Sequence, residues 1–194
     1  IAAGVHLTGD VMVDALQHNR GLAAGCAPMP GLEEGGYYLA TVHRAGNTDV
    51  EENLRSIMEG LAALDLPVVF PAHPRTVKYL AAYGIEPGAN IQVVEPLPYL
   101  EMLHLLSHAR AVLTDSGGVQ KEAYILQVPC VTLRENTEWV ETVEDGWNVL
   151  VGADRSKIIE ETAKAGGRDR THSARFGDGH AAERIAANIH DYEP

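Results

Sequence analysis

Apolar runs and helical patterns alternate along the chain. Residues 37–42 are rich in β-formers and follow the Gly35–Gly36 pair. Residues 50–64 carry Val50, Leu54, Ile57, Met58, Leu61 and Leu64 at helical spacing, behind a Thr48–Asp49 capping signal. The same alternation continues to the end. Strands are predicted over 67–71, 91–94, 111–114, 129–133 and 147–151. Helices are predicted over 76–83 (stopping at Gly84), 99–108, 119–126, 138–144, 154–164 and 181–190. In helix 99–108 the expected buried side is Leu100, Leu103 and Leu106.

Strands that are apolar throughout and separated by helices imply parallel neighbours covered on both faces. The predicted class is α/β, a Rossmann-like doubly wound parallel sheet. Ligands of such sheets sit beyond the C-terminal strand ends. That rule selects the loops after Val42, Phe70, Val94, Thr114 and Leu133. Residues 1–9 read as a strand from something upstream, and 21–36 as a Pro/Gly-rich connection. The division is therefore a connector with a first helix over 1–36 and a nucleotide-binding domain over 37–194.

Composition narrows the function. The 194 residues, 45% of them hydrophobic, suffice for one core. A formal net charge of -12 disfavours nucleic acid, whose phosphates it repels. It leaves room for a phosphate in a local pocket, where backbone N–H groups and a few cations reverse the field. Cys26 and Cys130 stand far apart, with no disulfide framework and no zinc spacing. No apolar run approaches the roughly 20 residues of a membrane span, and no signal peptide opens the chain. The expectation is a cytoplasmic protein that needs no metal and no cofactor. Ile1 is not an initiator residue and is read as a start within a longer protein.

Four polar clusters occupy the selected strand ends. In 114–122, a strand ends at Thr114, Gly117 and Gly118 turn the chain, and a helix starts. Ser116, Gly117 and Gly118 would present N–H groups to a phosphate at the positive end of the helix dipole. Glu122, one turn on, could take both hydroxyls of a ribose. An ordinary helix capped by Ser116 fits the same string. Arg44 follows the first strand and can fork two hydrogen bonds to phosphate, or lie idle on the surface. Asn47 could cap a helix or touch a ligand. Pro74 forces His73 into an extended conformation at the second strand end. There a histidine donates to phosphate, acts as acid or base, or is merely structural. Arg134 ends the fifth strand and could face phosphates or a base. Trp139 and Trp147 read as core or interface residues.

These residues resemble the UDP-N-acetylglucosamine 2-epimerase family of the non-hydrolysing type. The string Asp115-Ser116-Gly117-Gly118-Val119-Gln120-Lys121-Glu122-Ala123 is similar to the family's TDSGG-x-Q-E-E-A segment. Thr41-Val42-His43-Arg44-Ala45-Gly46-Asn47 is similar to its THR-x-E-N segment. The resemblance extends from Thr8 to Ala181. It implies the C-terminal half of a glycosyltransferase-B-type pair of domains, with UDP in the cleft and an N-terminal domain as partner. It also implies that His73, Ser116, Gly117 and Gly118 hold the diphosphate with Arg44 nearby, that Glu122 takes the ribose, and that Arg134 lines the cleft. The implied reaction interconverts UDP-GlcNAc and UDP-ManNAc by eliminating UDP to a 2-acetamidoglucal and adding it back. The carboxylates assigned to C2 proton transfer belong to the N-terminal half, which leaves His73 as the one family residue here with a catalytic role, on the leaving phosphate.

Three departures stand out: Gly46 for a usual Glu, Trp139-Val140 for Arg-Pro, and Asp10 for a frequent Asn. They leave the sugar open, along with three alternatives: a stand-alone UDP-sugar-binding module, half of a hydrolysing epimerase, and half of a glycosyltransferase. Trp139 and the helix over 99–106 could serve a homodimer or the core.

Overall fold

A computed structural model describes residues 4–27 and 29–191. Six strands form one sheet: β1 Tyr38–Thr41, β2 Val68–Pro71, β3 Ile91–Val94, β4 Ala111–Thr114, β5 Cys130–Thr132 and β6 Asn148–Leu150. Their order is β3-β2-β1-β4-β5-β6, and every pairing is parallel. All six lie within the predicted segments. The helices are α1 Val11–Ala23, α2 Ala45–Thr48, α3 Glu51–Ala62, α4 Pro74–Ala82, α5 Tyr99–His108, α6 Gly117–Leu126, α7 Val140–Glu144, α8 Arg155–Lys164 and α9 Ala181–His190.

The apolar character of the strands follows from their alternating side chains. Tyr38, Ala40, Phe70, Leu113 and Val131 face Leu54, Ile57, Met58 and Leu61 of α3 and Ile158 of α8. Leu39, Val69, Val112 and Cys130 face the other way, against Leu105 and Leu106 of α5 and Ala123 of α6. Strands covered on both faces leave few places for polar residues, and those present are bonded to one another: Thr41 to Thr114 and Thr132 to Asn148. The edge strand β3 has no such constraint on its outer part, and Gln92 and Val93 are exposed. No helix among the described residues is long and apolar enough to cross a membrane.

Several expectations need correction. The described residues 4–9 form no strand: Gly4 is in a turn and 5–9 are irregular. Residues 1–3 lie outside the described part. The connection over 21–36 begins later than expected, because Gly21 lies inside α1. The Thr48–Asp49 signal does not cap α3, whose N-cap is Val50 without a side-chain bond. Thr48 belongs instead to the one-turn α2, and Asp49 is bound by Arg75. So short a helix leaves no periodicity to read. Helix α4 starts earlier than expected, at Pro74, because proline suits the first helical position, where its missing N–H costs nothing. Leu105 is buried and Leu100 only partly so. The reason is that α5 is covered twice: Leu105 and Leu106 meet the sheet, while Leu103 and Leu100 meet Leu16 and Ala23 of α1.

Candidate functional site

The strand order reverses direction between β1 and β4. Such a switch point is the usual ligand position of these sheets. Asp115, immediately after β4, is fully buried. A carboxylate so placed must be hydrogen-bonded. It accepts from His43 N (3.0 and 3.1 Å), Arg44 N (2.9 Å) and Asn47 Nδ2 (3.1 Å). Nδ1 of His43 lies 3.2 Å away. Asn47 donates a second bond, 2.9 Å, to Leu133 O at the end of β5. One carboxylate therefore ties together the ends of β1, β4 and β5. Asn47 caps no helix; it is buried and its amide is spent on Asp115 and Leu133.

Helix α6 begins beside this knot. The Ser116 hydroxyl accepts from Val119 N at 3.5 Å as the N-cap. The Ser116 N–H is not free, contrary to expectation: it donates to Thr114 Oγ1 at 2.9 Å. Nor do the two glycines serve a turn, since neither has a positive φ. Gly118 is exposed with room above it, whereas Gly117 is buried under close side chains. A Cβ on Gly118 would meet nothing nearer than Ser116 Oγ at 3.8 Å. A Cβ on Gly117 would come 3.3 Å from Glu138 Oε2, 3.4 Å from Trp139 Nε1 and 3.8 Å from an Arg44 guanidinium nitrogen. The first-turn N–H groups of a helix have no intrahelical acceptor; Val119 N is taken by Ser116 Oγ, and the N–H groups of Gly117 and Gly118 could meet an anion.

Two cations border it. Arg44 is exposed, and its side chain reaches back to Gly117. Arg134 is bidentate to Glu138, 2.9 Å at both nitrogens, and also donates to Asn136 Oδ1 at 2.8 Å. Glu138 lies 4.0 Å from Arg44 as well. The Arg134 guanidinium holds the Glu138 carboxyl down to about 2. A carboxylate thus stands between two guanidiniums beside a helix N-terminus, an arrangement suited to an oxyanion.

His73 caps α4 with extended backbone, φ -60° and ψ 142°, as Pro74 dictates. Its Nδ1 accepts from Arg75 N at 3.1 Å. In the neutral ring the proton then sits on Nε2, which is left to donate. The ring lies 6.0 Å from that of His43. Glu122 stands one turn into α6, half-buried. Burial pushes its carboxyl up, and the neighbouring Tyr99 hydroxyl partly offsets this. Burial and Glu122 together push the Tyr99 hydroxyl up to about 12.

Direct contacts thus unite Arg44, Gly117 and, through Glu138, Arg134, with Ser116 and Gly118 on the same turn. His73 joins through His43, and Glu122 lies farther along α6. Sequence reasoning missed the parts played by His43, Asp115 and Glu138. An acidic residue directly after an apolar strand, at Asp115, was the one available signal. Trp139 was read as core or interface and is half-buried, but its Nε1 donates to Gly117 O at 2.8 Å.

The chain matches the model of the UDP-N-acetylglucosamine 2-epimerase family over residues 2–190. It is 46% identical to a UDP-N-acetylglucosamine 2-epimerase homolog of Methanococcus maripaludis, over 95% of this chain and 54% of that protein. It is 43% identical to the UDP-2,3-diacetamido-2,3-dideoxy-D-glucuronate 2-epimerase of Pseudomonas aeruginosa, over 95% and 52%. The crystal structure of the Methanocaldococcus jannaschii UDP-GlcNAc 2-epimerase in complex with UDP-GlcNAc and UDP superposes with a TM-score of 0.85 at 38% identity, over 95% of this chain and 54% of that one. A calicheamicin glycosyltransferase shares the fold alone, with a TM-score of 0.59 at 19% identity. The chain spans about half the length of the curated relatives it matches. With a Rossmann-like parallel sheet and a family match over nearly its whole length, the chain belongs to the UDP-N-acetylglucosamine 2-epimerase family.

Proposed function

We propose that this chain is the UDP-binding half of a UDP-sugar 2-epimerase, and that its partner is an N-terminal domain of the same protein. The observation that carries the reading is the convergence of Arg44, Arg134 and the open N-terminus of α6 at one point of the sheet edge. The diphosphate sits over Gly117 and Gly118, and Arg44 and Arg134 turn from Glu138 to its oxygens. The His73 Nε2–H faces the same oxygens, and Glu122 accepts the ribose hydroxyls. Exposed apolar side chains at Val5, Leu7, Val11 and Ile189, in the connector, α1 and α9, are in keeping with a further domain.

In this reading the sugar C1–O bond breaks with its electron pair passing to the diphosphate oxygen, while a base takes the C2 proton. The cationic seat lowers the energy of the departing diphosphate, and re-addition from the same face follows return of the proton to the other side of C2. The base is not in this chain. Asp115 is consumed by the His43 and Arg44 N–H groups and Asn47, Glu138 is held by Arg134, and Glu122 is given to the ribose a turn away. The chain by itself therefore binds UDP without turning it over. UDP-GlcNAc and UDP-ManNAc are the proposed pair, with diacetamido uronic sugars the runner-up on the strength of the Pseudomonas relative.

Calorimetric titration with UDP, beside GDP and inorganic phosphate, tests this. UDP binding abolished by Glu122→Ala and sharply weakened by Arg44→Ala supports it. A folded chain that prefers neither UDP nor GDP over phosphate overturns it.

A further inference from the structure

Lys121 is the buried charge that the proposed function leaves unused. It lies on α6 with only 4% of its surface exposed. Its Nζ is 2.5 Å from Asp10 Oδ2, the N-cap residue of α1, and 3.6 Å from the centroid of the Trp139 ring. The Phe176 ring packs edge-on to Trp139 at 5.8 Å, and Phe176 O accepts from Asp10 N at 2.8 Å. Four separate segments meet here: the connector before α1, the helix of the phosphate seat, the loop after β5 and the tail before α9. Two of the three departures noted in the sequence, Asp10 and Trp139, stand in direct contact with Lys121. The lysine itself replaces the first of the two glutamates in the family string.

The cluster acts on the site through one bond. Trp139 Nε1 donates to Gly117 O at 2.8 Å. The peptide whose carbonyl is held this way runs from Gly117 to Gly118, and it carries the Gly118 N–H. Fixing the carbonyl fixes the plane of that peptide and therefore the direction of its N–H. A cation stacked on an indole in a desolvated place holds the ring where it is. The Thr137 hydroxyl accepts from Trp139 N at 3.0 Å and donates to the buried Gln120, closing the loop from the other side.

We propose that Trp139, clamped by the Lys121–Asp10 pair, is a positioning residue that aims the Gly118 N–H at the diphosphate, so that the connector before α1 sets the affinity for the phosphates but not for the nucleoside. The inference rests on the diphosphate reading above. Indole, cation and carboxylate form one strut from the connector to the anion seat. A shift of the connector moves Asp10, releases Lys121 and loosens the carbonyl that Trp139 holds.

The test uses the 194-residue chain and two ligands, UDP and uridine. Trp139→Phe keeps an aromatic ring and removes the donor. It raises the UDP Kd about three- to tenfold, the span of one neutral hydrogen bond, and leaves the uridine Kd unchanged. Lys121→Met and Asp10→Ala do the same, and Lys121→Arg restores native UDP affinity by keeping the charge over the ring. Equal weakening of UDP and uridine, or unchanged UDP affinity in Trp139→Phe and Lys121→Met, overturns the proposal. Arg44→Ala separates the two levels: if it too leaves UDP affinity unchanged, the diphosphate reading fails; if it alone weakens UDP, only the strut fails. A far-UV spectrum and thermal midpoint for each variant show whether it has folded, and Trp139→Phe, the smallest change, keeps the test open if Lys121→Met does not.

Discussion

Glu138 occupies the place where an anionic ligand would sit, so Glu138→Gln should tighten UDP binding. Two contributions add. The native carboxylate must first release Arg134, and an exposed ion pair is worth roughly 0.2–1 kcal/mol, with bidentate geometry at the upper end. Once displaced by a side-chain rotation, it still sits about 7 Å from the phosphates. At water-like dielectric that repulsion is roughly 0.6 kcal/mol per unit charge. For about two charges, screened over a Debye length of about 8 Å, roughly 0.5 kcal/mol survives. The sum is about 0.7–1.5 kcal/mol, or about three- to twelvefold in Kd. Isothermal titration of UDP into native and variant chains measures this, and raising the salt concentration should shrink the gain. Because Arg134 holds the carboxyl down to about 2, it stays ionised throughout the working range, and the gain should persist at mildly acid pH. Weaker UDP binding in Glu138→Gln would refute the reasoning and show that Glu138 orients Arg134 for the ligand. Unchanged binding would show that neither arginine meets the phosphates.

Three further outcomes follow from the same geometry. Arg44→Ala and Ser116→Ala should each cost roughly 1.5–3 kcal/mol in UDP binding if each removes a charge-assisted hydrogen bond. Titration of both variants checks this, and unchanged affinity in both argues against the phosphate seat. Glu122→Gln should lose nucleoside affinity yet raise the thermal midpoint at neutral pH. Burial raises the Glu122 carboxyl above its ordinary value in the folded chain. Its contribution is therefore most favourable below the unfolded value and is lost as pH rises through the folded one. The midpoints of native and variant should converge in acid, and a variant less stable than native at pH 7 would contradict this. Asp145 accepts from Tyr124 (2.6 Å), Ser173 (2.9 Å) and Arg175 (2.8 Å) and pins the tail to the body. Arg175 holds its carboxyl down to about 2. That stability is present above the unfolded value and lost as pH falls through the folded one, so Asp145→Asn should cost about 1–3 kcal/mol in urea melts at pH 7. Equal midpoints at pH 7 would rule that out.

The layers were legible from residue pattern alone. Strands buried on both faces are mostly apolar, and the edge strand β3 still carried the β-branched Ile91, Val93 and Val94, so all six were legible. Helices α5 and α9 were legible to their terminal residues because their periodicity is long. The strand-end rule then located Arg44, His73, Ser116, Gly117, Gly118 and Arg134 without any coordinates, since the loops of a parallel sheet leave from one edge. The tertiary structure decided which groups are free. That Asn47 is buried structure and that Asp115 ties three strand ends depend on distances across the sheet, while the Ser116–Thr114 and Arg134–Glu138 bonds are local but need side-chain directions that no pattern of residue types gives. Pairings between residues 68 to 86 positions apart leave no local pattern in a chain. The short α2 and the one-turn starts of helices were equally silent, because a single turn fixes no period. Lys121 was read only as a letter in a motif, and its burial against Asp10 and Trp139 came from four segments that only the folded chain brings together.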